Sequence, residues 1–433
     1  MSEFLLNSNK RHFVEHYNFP DGEDITNIQG NIEDIGFLGS KELKCIEIQN
    51  HSDLTRTLHT SYFVGTDWIS EDKAIYVEPK LNNATYQTNY LLMLFSILKR
   101  PEMAKHIGNL YEVKWNKKEI SIEQNQDLLT PLLVVEFLKI IQVIVRKGLK
   151  KSYYKVQNNL NSRVKGKILV SKTIKENLAR NKATSTICEF EEFGFNGLEN
   201  KLLKKALIFV RRYLAGIPNL GSSEFINQTM NYILPAFESV EEDINVNDIR
   251  NFKANIFYKE YDEAIRIAKL ILKKFGYNIF NTVQQSVKTP PFWINMATLF
   301  ELYTLGLLMD RFSSNVKYHF ATYGNELDFL LNTSEYKLVV DAKYKPKHKT
   351  EPYHEDIRQV SGYARLKKVQ NELQKKENEL IDCLIIYPDQ DSDINLADVD
   401  LTDKKFANTT YNGLYKIGIK LPTLNKPTGN LIA

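Results

Sequence analysis

The spacing of apolar residues changes twice along the chain and divides it into three regions. In the first region, short runs of β-branched and aromatic residues stand between polar breaks, as at 61–65 (SYFVG) and 74–79 (AIYVEP). Such runs are typical of β-strands. The pattern therefore predicts a β-rich N-terminal domain over residues 1–125, with one helix at about 90–98.

From about residue 128 the apolar residues recur at steps of three and four, which is the spacing of an amphipathic helix. The steps are clearest over 129–144, and further helices are predicted over 198–215, 225–240 and 260–275. The pattern therefore predicts a mainly helical middle region over residues 126–285.

The third region, residues 286–433, begins near the helix-breaking pair Pro290-Pro291. Its pattern predicts, in order, a helix over 293–312, a hairpin that pairs 326–331 with 336–345, a helix over 356–376 and a strand over 383–387. Helices and strands combined in this way form an α/β module. The fold class predicted for the whole chain is α/β, or α+β when the three regions are taken together.

The predicted hairpin carries three charged residues whose positions are related by its geometry. Asp341 and Lys343 are two residues apart, so on a strand their side chains point to the same face. A turn centred between Ser334 and Glu335 places Asp328 directly opposite Asp341, with the two Cβ atoms roughly 4.5–5.5 Å apart. The hairpin therefore brings two carboxylates and one ammonium group together.

Two carboxylates at that separation repel each other, and a divalent cation between them removes the repulsion. Oxygen ligands of this kind suit Mg²⁺, which completes its shell with waters and phosphate oxygens. Lys343 would orient the attacking water and offset negative charge in the transition state of phosphodiester hydrolysis. The alternative is a surface hairpin with solvated charges, but the apolar run 338–340 indicates a largely buried strand. We therefore predict Asp328 and Asp341 as catalytic Mg²⁺ ligands and Lys343 as a catalytic residue.

Two further polar residues fall on the helices that flank the hairpin. Glu301 lies on the apolar stripe of the preceding helix, where Glu is rare unless it is paired or binds a metal. We predict it as a further metal ligand or a group that orients one, and the alternative is a core Glu paired with Lys or Arg. Gln359 and Tyr363 lie one turn apart on the following helix. We predict that Gln359 positions the metal, the water or a phosphate, although an exposed polar helix face explains the pair equally well.

The net charge identifies no partner by itself, because 57 Lys and Arg against 53 Asp and Glu leave only +4. Positive charge is concentrated locally instead, since residues 146–175 contain ten Lys or Arg and no Asp or Glu. Such a stretch binds DNA phosphates, or forms a solvated face or a surface for an acidic partner. The candidate contacts to double-stranded DNA are Arg163, Lys165 and Lys167 from this stretch, and Lys345 beside the hairpin.

The remaining composition points to a cytoplasmic protein. The three cysteines are far apart and outline neither a disulfide framework nor a zinc-binding spacing. The N-terminal residues lack the pattern of a secretory signal, and the most apolar stretch, 132–145, is interrupted by Glu136 and Lys139. We therefore expect a soluble cytoplasmic chain without membrane contact.

Taken together, these motifs resemble the PD-(D/E)XK nuclease superfamily, and more closely the McrC-type endonuclease subunit of McrBC-like 5-methylcytosine restriction systems. The resemblance extends from about residue 60 to the C-terminus and is loose between motifs. The residue before Asp328 is Leu327, where the family usually has Pro, but the carboxylate itself is retained. The matching segments are 62–65 (YFVG), 75–80 (IYVEPK), 163–168 (RVKGKI), 191–203 (EEFGFNGLENKLL), 295–303 (NMATLFELY), 327–328 (LD), 340–345 (VDAKYK), 356–359 (DIRQ) and 384–388 (LIIYP).

The resemblance implies a Mg²⁺-dependent DNA endonuclease subunit that acts with, and stimulates, an AAA+ GTPase of the McrB type. In that family the GTPase recognises and translocates DNA. The C-terminal region would be a restriction-endonuclease-like PD-(D/E)XK domain, and residues 1–125 would dock on the GTPase. Because residues 1–125 contain no candidate catalytic set, we also predict that their deletion leaves a folded C-terminal domain. The sequence contains no GxxxxGK[ST] phosphate loop, so GTP would be bound by the partner.

Two other functions are compatible with the same sequence. One is a stand-alone PD-(D/E)XK repair or defence nuclease that needs no motor. The other is a catalytically silent AAA+ adaptor whose hairpin is only a scaffold. The intact set of Asp328, Asp341 and Lys343 counts against the silent adaptor.

Overall fold

The computed structural model contains several sheets and helices and confirms the predicted α/β class. It forms two compact units: residues 1–129 together with 285–433, and residues 130–284. The first and third regions predicted from the sequence therefore share one unit, while the functional roles given to the three regions stay predictions. The structure describes residues 10–15, 22–28, 32–40, 42–82, 87–98, 106, 110–123, 127, 129–215, 224–244, 258–280, 286–350, 353–377 and 379–424.

The strands and helices of these residues are numbered in chain order. The strands are β1 (Lys10–Val14), β2 (Glu23–Asp24), β3 (Ile35–Gly36), β4 (Lys44–Asn50), β5 (Arg56–Thr60), β6 (Phe63–Trp68), β7 (Ala74–Glu78), β8 (Gln87–Thr88), β9 (Tyr111–Val113), β10 (Ile120–Glu123), β11 (Ser152–Asn161), β12 (Lys167–Ile168), β13 (Ser185–Gly194), β14 (Ser286–Thr289), β15 (Phe292–Asn295), β16 (Val316–Thr322), β17 (Asn325–Asn332), β18 (Lys337–Ala342), β19 (Asp382–Pro388), β20 (Leu414–Ile419) and β21 (Thr423–Leu424). The helices are α1 (Tyr90–Leu98), α2 (Leu129–Lys147), α3 (Val170–Glu176), α4 (Leu198–Ala215), α5 (Glu224–Ile233), α6 (Lys259–Phe280), α7 (Met296–Phe312), α8 (His354–Ala364) and α9 (Lys367–Glu372).

The first unit contains two five-stranded sheets. One has the strand order β1-β7-β6-β15-β9, and the other has the order β16-β17-β18-β19-β20. The described residues of this unit also form a four-stranded sheet, β2-β5-β4-β3, and the strand pairs β10-β14 and β21-β8. Strand β15 thus places a segment from the third predicted region inside a sheet built from the first.

The structure corrects the predicted start of the helix over 293–312. Residues Phe292–Asn295 form β15, which pairs antiparallel with both β6 and β9, and the helix begins only at Met296. The side chain of Asn295 accepts a hydrogen bond from the N–H of Thr298 and so caps the helix at that point. The approach of β15 to β6 also requires Gly65, because a Cβ there would collide with the carbonyl oxygen of Phe292.

Trp293 joins the core of the N-terminal strands. It is fully buried in one apolar cluster with residues such as Phe13, Ile46 and Val77. Its indole N–H donates a hydrogen bond of 3.2 Å to the carboxylate of Asp67. Residues 1–125 and the third region therefore share both a sheet and a core, which argues against a C-terminal domain that folds without residues 1–125.

The hairpin of the third region has the predicted register. Phe329 pairs with Val340 across β17 and β18, so the next position brings Asp328 opposite Asp341. Strand β18 then pairs in parallel with β19. Helix α8 buries Ile357 and Val360 against this sheet. The single helix predicted over 356–376 is two helices, because Leu366 between them has an extended conformation.

The second unit contains a sheet that the sequence pattern did not predict. Helices α2, α4, α5 and α6 occupy much of it, as expected, but the basic stretch contributes to a three-stranded antiparallel sheet, β11-β13-β12. Strand β11 pairs with β13 at all ten of its positions. Its side chains alternate between half-buried and exposed over Ser152–Gln157, a period of two that carries few strongly apolar residues. Because the flanking segments have helical spacing and β11 itself has few apolar residues, the sequence pattern did not predict this sheet.

No helix among the described residues combines the length and the apolar character that crossing a membrane would need.

The shared core leads to a prediction about fragments of the chain. A fragment of residues 126–433 should not fold like the whole protein, because it lacks β6 and β9, the two neighbours of β15, and exposes Trp293. Losing the packing of one such side chain costs about 3–5 kcal/mol. Near-ultraviolet circular dichroism and heat unfolding, compared with the full chain, measure this. A fragment that unfolds cooperatively at the temperature of the full chain would contradict the shared core.

Candidate active site

A pocket of about 590 Å³ lies in the first unit, at the end of β18. Strand β18 runs parallel to β19 and antiparallel to β17. The end of β18 and the beginning of β17 therefore lie at the same edge of the sheet. The lining residues are Tyr62, Ala297, Glu301, Asp328, Ala342, Lys343, Tyr344, Lys345, Glu355, Asp356 and Gln359.

The two hairpin carboxylates are held in surroundings that disfavour their charge. Asp341 is only 1% exposed, and Oδ2 of Asp328 accepts a hydrogen bond of 2.8 Å from the N–H of Ala342. Burial raises the pKa of Asp328 well above its ordinary range, and the nearby carboxylates of Asp341 and Glu301 raise it further. Burial also raises the pKa of Asp341, although the ammonium group of Lys343 opposes that effect.

Lys343 supplies the positive charge next to this pair. Its Nζ lies 2.9 Å from Oδ2 of Asp341 and donates to Oε1 of Gln359 at 3.0 Å. Burial alone would lower the pKa of Lys343, but the carboxylates of Asp341 and Asp328 outweigh it and the pKa is raised. Gln359 in turn donates to the hydroxyl of Tyr363 at 2.9 Å. Of the residues predicted from the sequence, Asp328, Lys343 and Gln359 thus line one pocket, and the buried Asp341 contacts Lys343 beside it.

Glu301 reaches the pocket from α7. Its partner is a histidine, whereas the sequence suggested a metal ion or a Lys or Arg side chain. Its carboxylate lies 2.8 Å from Nε2 of His319, and its side chain is 18% exposed. The described residues contain no group of three or more His, Cys, Asp or Glu side chains arranged to hold a metal. Glu301 therefore lines the same pocket as Asp328, without forming a three-carboxylate cluster with the two aspartates.

His319 is a residue that the sequence reasoning missed. Tyr318 pairs with Phe329 and Phe320 with Leu327, which places His319 opposite Asp328, but His319 itself is outside the ladder. Its φ angle of +50° is unusual for a residue other than glycine. Its Nδ1 lies 3.2 Å from Glu326, and the hydrogen bond to Glu301, opposed by burial, raises its pKa. The sequence signal that could have identified His319 is the register of the β16–β17 hairpin, which places it opposite Asp328.

Lys345 lines the pocket, but a neighbouring carboxylate holds its ammonium group. Nζ of Lys345 lies 2.8 and 2.9 Å from the two oxygens of Asp356. His348, which is fully buried, lies 2.8 Å from the same carboxylate through Nε2. Burial would raise the pKa of Asp356, but His348 and Lys345 lower it below its usual range. The pair fixes the beginning of α8, and a contact of Lys345 with DNA stays a prediction.

The other candidate DNA contacts belong to the second unit. Arg163, Lys165 and Lys167 are exposed and lie between β11 and β13 in sequence. Lys165 forms an ion pair of 3.1 Å with Glu192, and its Nζ lies 3.8 Å from the ring centroid of Phe190. Glutamates of β13 therefore offset part of the positive charge of this stretch, and its role in DNA binding stays a prediction.

The donor set at the pocket fits Mg²⁺. Asp328 and Asp341 supply facing carboxylate oxygens, and burial together with neighbouring carboxylates raises the pKa of both, so the site disfavours their negative charge when no cation is bound. Mg²⁺ is commonly held by one or two carboxylates, with waters and phosphate oxygens completing the shell. The missing third carboxylate is therefore compatible with such a site.

Known proteins resemble this chain over much of its length. Residues 58–388 match the family described as McrBC 5-methylcytosine restriction system component. No curated protein matches the chain. Among solved structures, the chain is similar to a half-complex from a tetradecameric assembly of Thermococcus gammatolerans McrB AAA+ hexamers with bound McrC. The identity is 14% and the TM-score 0.39, with 95% of this chain and 94% of that chain covered. It is also similar to the Thermococcus gammatolerans McrBC complex, at 13% identity and a TM-score of 0.28, with 70% and 87% covered.

The electrostatics of the pocket predict how Asp328 affects stability. Without Mg²⁺ near pH 8, Asp328→Asn should unfold at a higher temperature than the wild type, because Asn keeps an oxygen for Ala342 N–H but buries no charge. The pKa of Asp328 is raised on folding. Its contribution to stability is therefore present in acid and is lost as the pH rises through the folded-state pKa.

Heat-unfolding scans from roughly pH 4 to pH 8 test this sign. The advantage of Asp328→Asn should grow with pH and disappear in acid. Asp398→Asn removes an exposed carboxylate and serves as the control. A lower unfolding temperature for Asp328→Asn at pH 8 would mean that the buried charge is well compensated.

Proposed function

Because the chain belongs to the family of McrBC 5-methylcytosine restriction system components, we propose that it is the McrC-type subunit, a Mg²⁺-dependent DNA endonuclease. The observation that carries this proposal is the pocket lined by Asp328 and Lys343, with the buried carboxylate of Asp341 in contact with Lys343. A buried strand end with two carboxylates and a lysine is costly for a scaffold. With a bound divalent cation, this set would suit the hydrolysis of a phosphodiester.

The roles of the side chains follow from their contacts. Asp328 and Asp341 would hold the metal, and Mg²⁺ bound there would lower the pKa of a water and stabilise the leaving oxygen. The raised pKa of Lys343 keeps its side chain positively charged beside Asp341. It would orient the attacking water and offset the negative charge that develops on the phosphate.

Gln359 acts on this arrangement through Lys343. Its Oε1 accepts from the ammonium group while its Nε2 donates to Tyr363, so the amide is fixed in one orientation. Gln359 would therefore keep Lys343 directed into the pocket. Glu301, held by His319, adds negative charge near the same two carboxylates. It would strengthen metal binding or take part in it.

We further propose that the chain works with an AAA+ GTPase of the McrB type and acts on double-stranded DNA carrying 5-methylcytosine. The family is described as one component of a restriction system, and the 433 residues contain no phosphate loop of their own. GTP would therefore be hydrolysed by the partner, and the present chain would dock on it and stimulate hydrolysis. The docking surface is proposed within residues 1–125, with the basic stretch 146–175 as the alternative.

Substitution of the pocket residues tests the nuclease. Asp341→Ala and Lys343→Ala should each abolish cleavage of methylated DNA by the complex with its GTPase in Mg²⁺, because each removes a group that acts on the metal or the phosphate. Asp382→Asn is the matched control, since Asp382 is a partly buried carboxylate that pairs with Leu338 at the opposite end of the same strand pair. Full cleavage by Asp341→Ala would rule out this site.

The partner assignment has a separate test. Asp341→Ala should bind the GTPase and raise its GTP turnover as the wild type does, because the substitution changes only the pocket. A change of an exposed N-terminal apolar residue, Leu43→Asp, should reduce stimulation if residues 1–125 dock. Full stimulation by Leu43→Asp together with loss in Tyr153→Asp would move the docking surface to the basic stretch. Cleavage without any GTPase would favour the stand-alone nuclease.

A further inference from the structure

A buried polar cluster connects the N-terminal strands to the residue that follows Lys343. Its members are Glu15, Lys80 and Tyr344, and all three belong to the first compact unit. Glu15 follows β1, Lys80 follows β7, and Tyr344 follows the end of β18. Neither the predicted metal site nor the predicted DNA contacts account for this cluster.

Lys80 makes the contact that reaches the pocket. Its Nζ donates a hydrogen bond of 3.1 Å to the carbonyl oxygen of Tyr344, a residue 264 positions away in sequence. The same ammonium group lies 4.3 Å from the ring centroid of Tyr344 and 5.2 Å from that of Tyr62. Both of those tyrosines line the pocket. Lys80 therefore holds both the main chain and the ring of Tyr344.

Glu15 is the carboxylate beside Lys80. It is 2% exposed, its N–H donates to the carbonyl oxygen of Glu78 at 2.8 Å, and its Oε1 lies 3.8 Å from Nζ of Lys80. Burial raises the pKa of Glu15 to about 7, although Lys80 lowers it. Because β1 and β7 pair in parallel just before these two residues, the pairing of the two strands brings the carboxylate next to the ammonium group.

The main chain at Tyr344 needs such support because β18 has ended. The ladder with β19 closes at Ala342, after which the N–H of Lys343 bonds to Ile386 at 2.9 Å. The N–H of Lys345 bonds back to the carbonyl of Lys343 at 2.7 Å, which turns the chain. The ammonium group of Lys343 must nevertheless remain between Asp341 and Gln359.

We propose that Lys80 is a positioning residue for DNA cleavage: its hydrogen bond to Tyr344 fixes the chain after β18 so that Lys343 stays between Asp341 and Gln359. This inference rests on the proposed nuclease function. Glu15 supports Lys80 by balancing its buried charge. The N-terminal strands thus contribute directly to the geometry of the pocket, although they contain none of the residues that would touch metal or phosphate.

Three variants separate this role from a general contribution to stability. Lys80→Met keeps most of the side-chain volume but removes the donor and leaves Glu15 without its cation. The double variant Lys80→Met with Glu15→Gln also removes the buried carboxylate charge, so no uncompensated charge remains. Glu15→Gln alone keeps the donor to Tyr344. Lys44→Met is the matched control, because Lys44 is an ion-paired lysine of the same unit whose partners are Asp34 and Glu47.

The first measurement does not depend on cleavage. Hydrogen exchange of the full chain should show faster exchange over residues 342–346 in Lys80→Met and in the double variant, but not in Glu15→Gln or Lys44→Met. Unchanged exchange in the double variant, relative to Lys44→Met, would overturn the proposal whether or not the protein cleaves DNA.

The second measurement is cleavage of methylated DNA by the complex with its GTPase. Groups that orient an active residue from behind typically contribute about 10–100-fold to activity. We expect kcat to fall by about that factor in Lys80→Met and in the double variant, with little change in KM. Wild-type kcat in the double variant would overturn the proposal, because it would mean that Lys80 only balances the charge of Glu15. An inactive wild type would refute the nuclease instead and leave the exchange result to decide on Lys80.

Discussion

The burial of two facing carboxylates at the end of one hairpin is the constraint on which the rest of the site depends. Asp341 is buried, Asp328 is half-buried beside the pocket, and the two carboxylates are balanced by the ammonium group of Lys343 and the N–H of Ala342. A third carboxylate, Glu301, adds to the negative charge. Titratable groups with strongly perturbed pKa values in a pocket are characteristic of functional sites, because a protein without use for them would replace them by apolar residues.

Each group around the pair is itself held by a neighbour. Gln359 orients Lys343 and is oriented by Tyr363, His319 holds Glu301, and Asp356 holds Lys345. These neighbours come from α7, α8 and β16, so the pocket is assembled from elements on several sides of the hairpin. Support of this kind keeps charged side chains in one arrangement, which lowers the cost of organising them when a substrate phosphate arrives.

The architecture of the first unit makes the N-terminal strands part of this support. Strand β15 lies between β6 and β9, and Trp293 packs among side chains of the N-terminal sheet. Helix α7, which carries Glu301, begins directly after β15. The N-terminal sheet is therefore connected to the start of α7 through β15 and, through Lys80, to the chain that follows β18. The N-terminal region, proposed to bind the GTPase, thus shares a sheet, a core and a direct hydrogen bond with the region proposed to cleave DNA.

The sequence by itself determined the features that depend on neighbours along the chain. The alternation of side chains and the position of the turn set the register that brings Asp328 opposite Asp341, and the helical spacing predicted α4 at its observed bounds. The tertiary structure decided the rest. Apolar residues 292–294 fit a helix or a strand equally well, and only the presence of β6 and β9 makes them a strand.

The same reasoning applies to the basic stretch and to the pocket. Strand β11 has little apolar periodicity, and its pairing partner β13 supplies Glu189, the carboxylate that Lys155 of β11 meets. His319 acquires its role from Glu301, and Lys80 acquires its role from a carbonyl group 264 residues away. A local pattern records which face of an element is apolar, but it does not record which distant element covers that face. That choice is made only when the chain folds and the alternatives compete for the same buried surface.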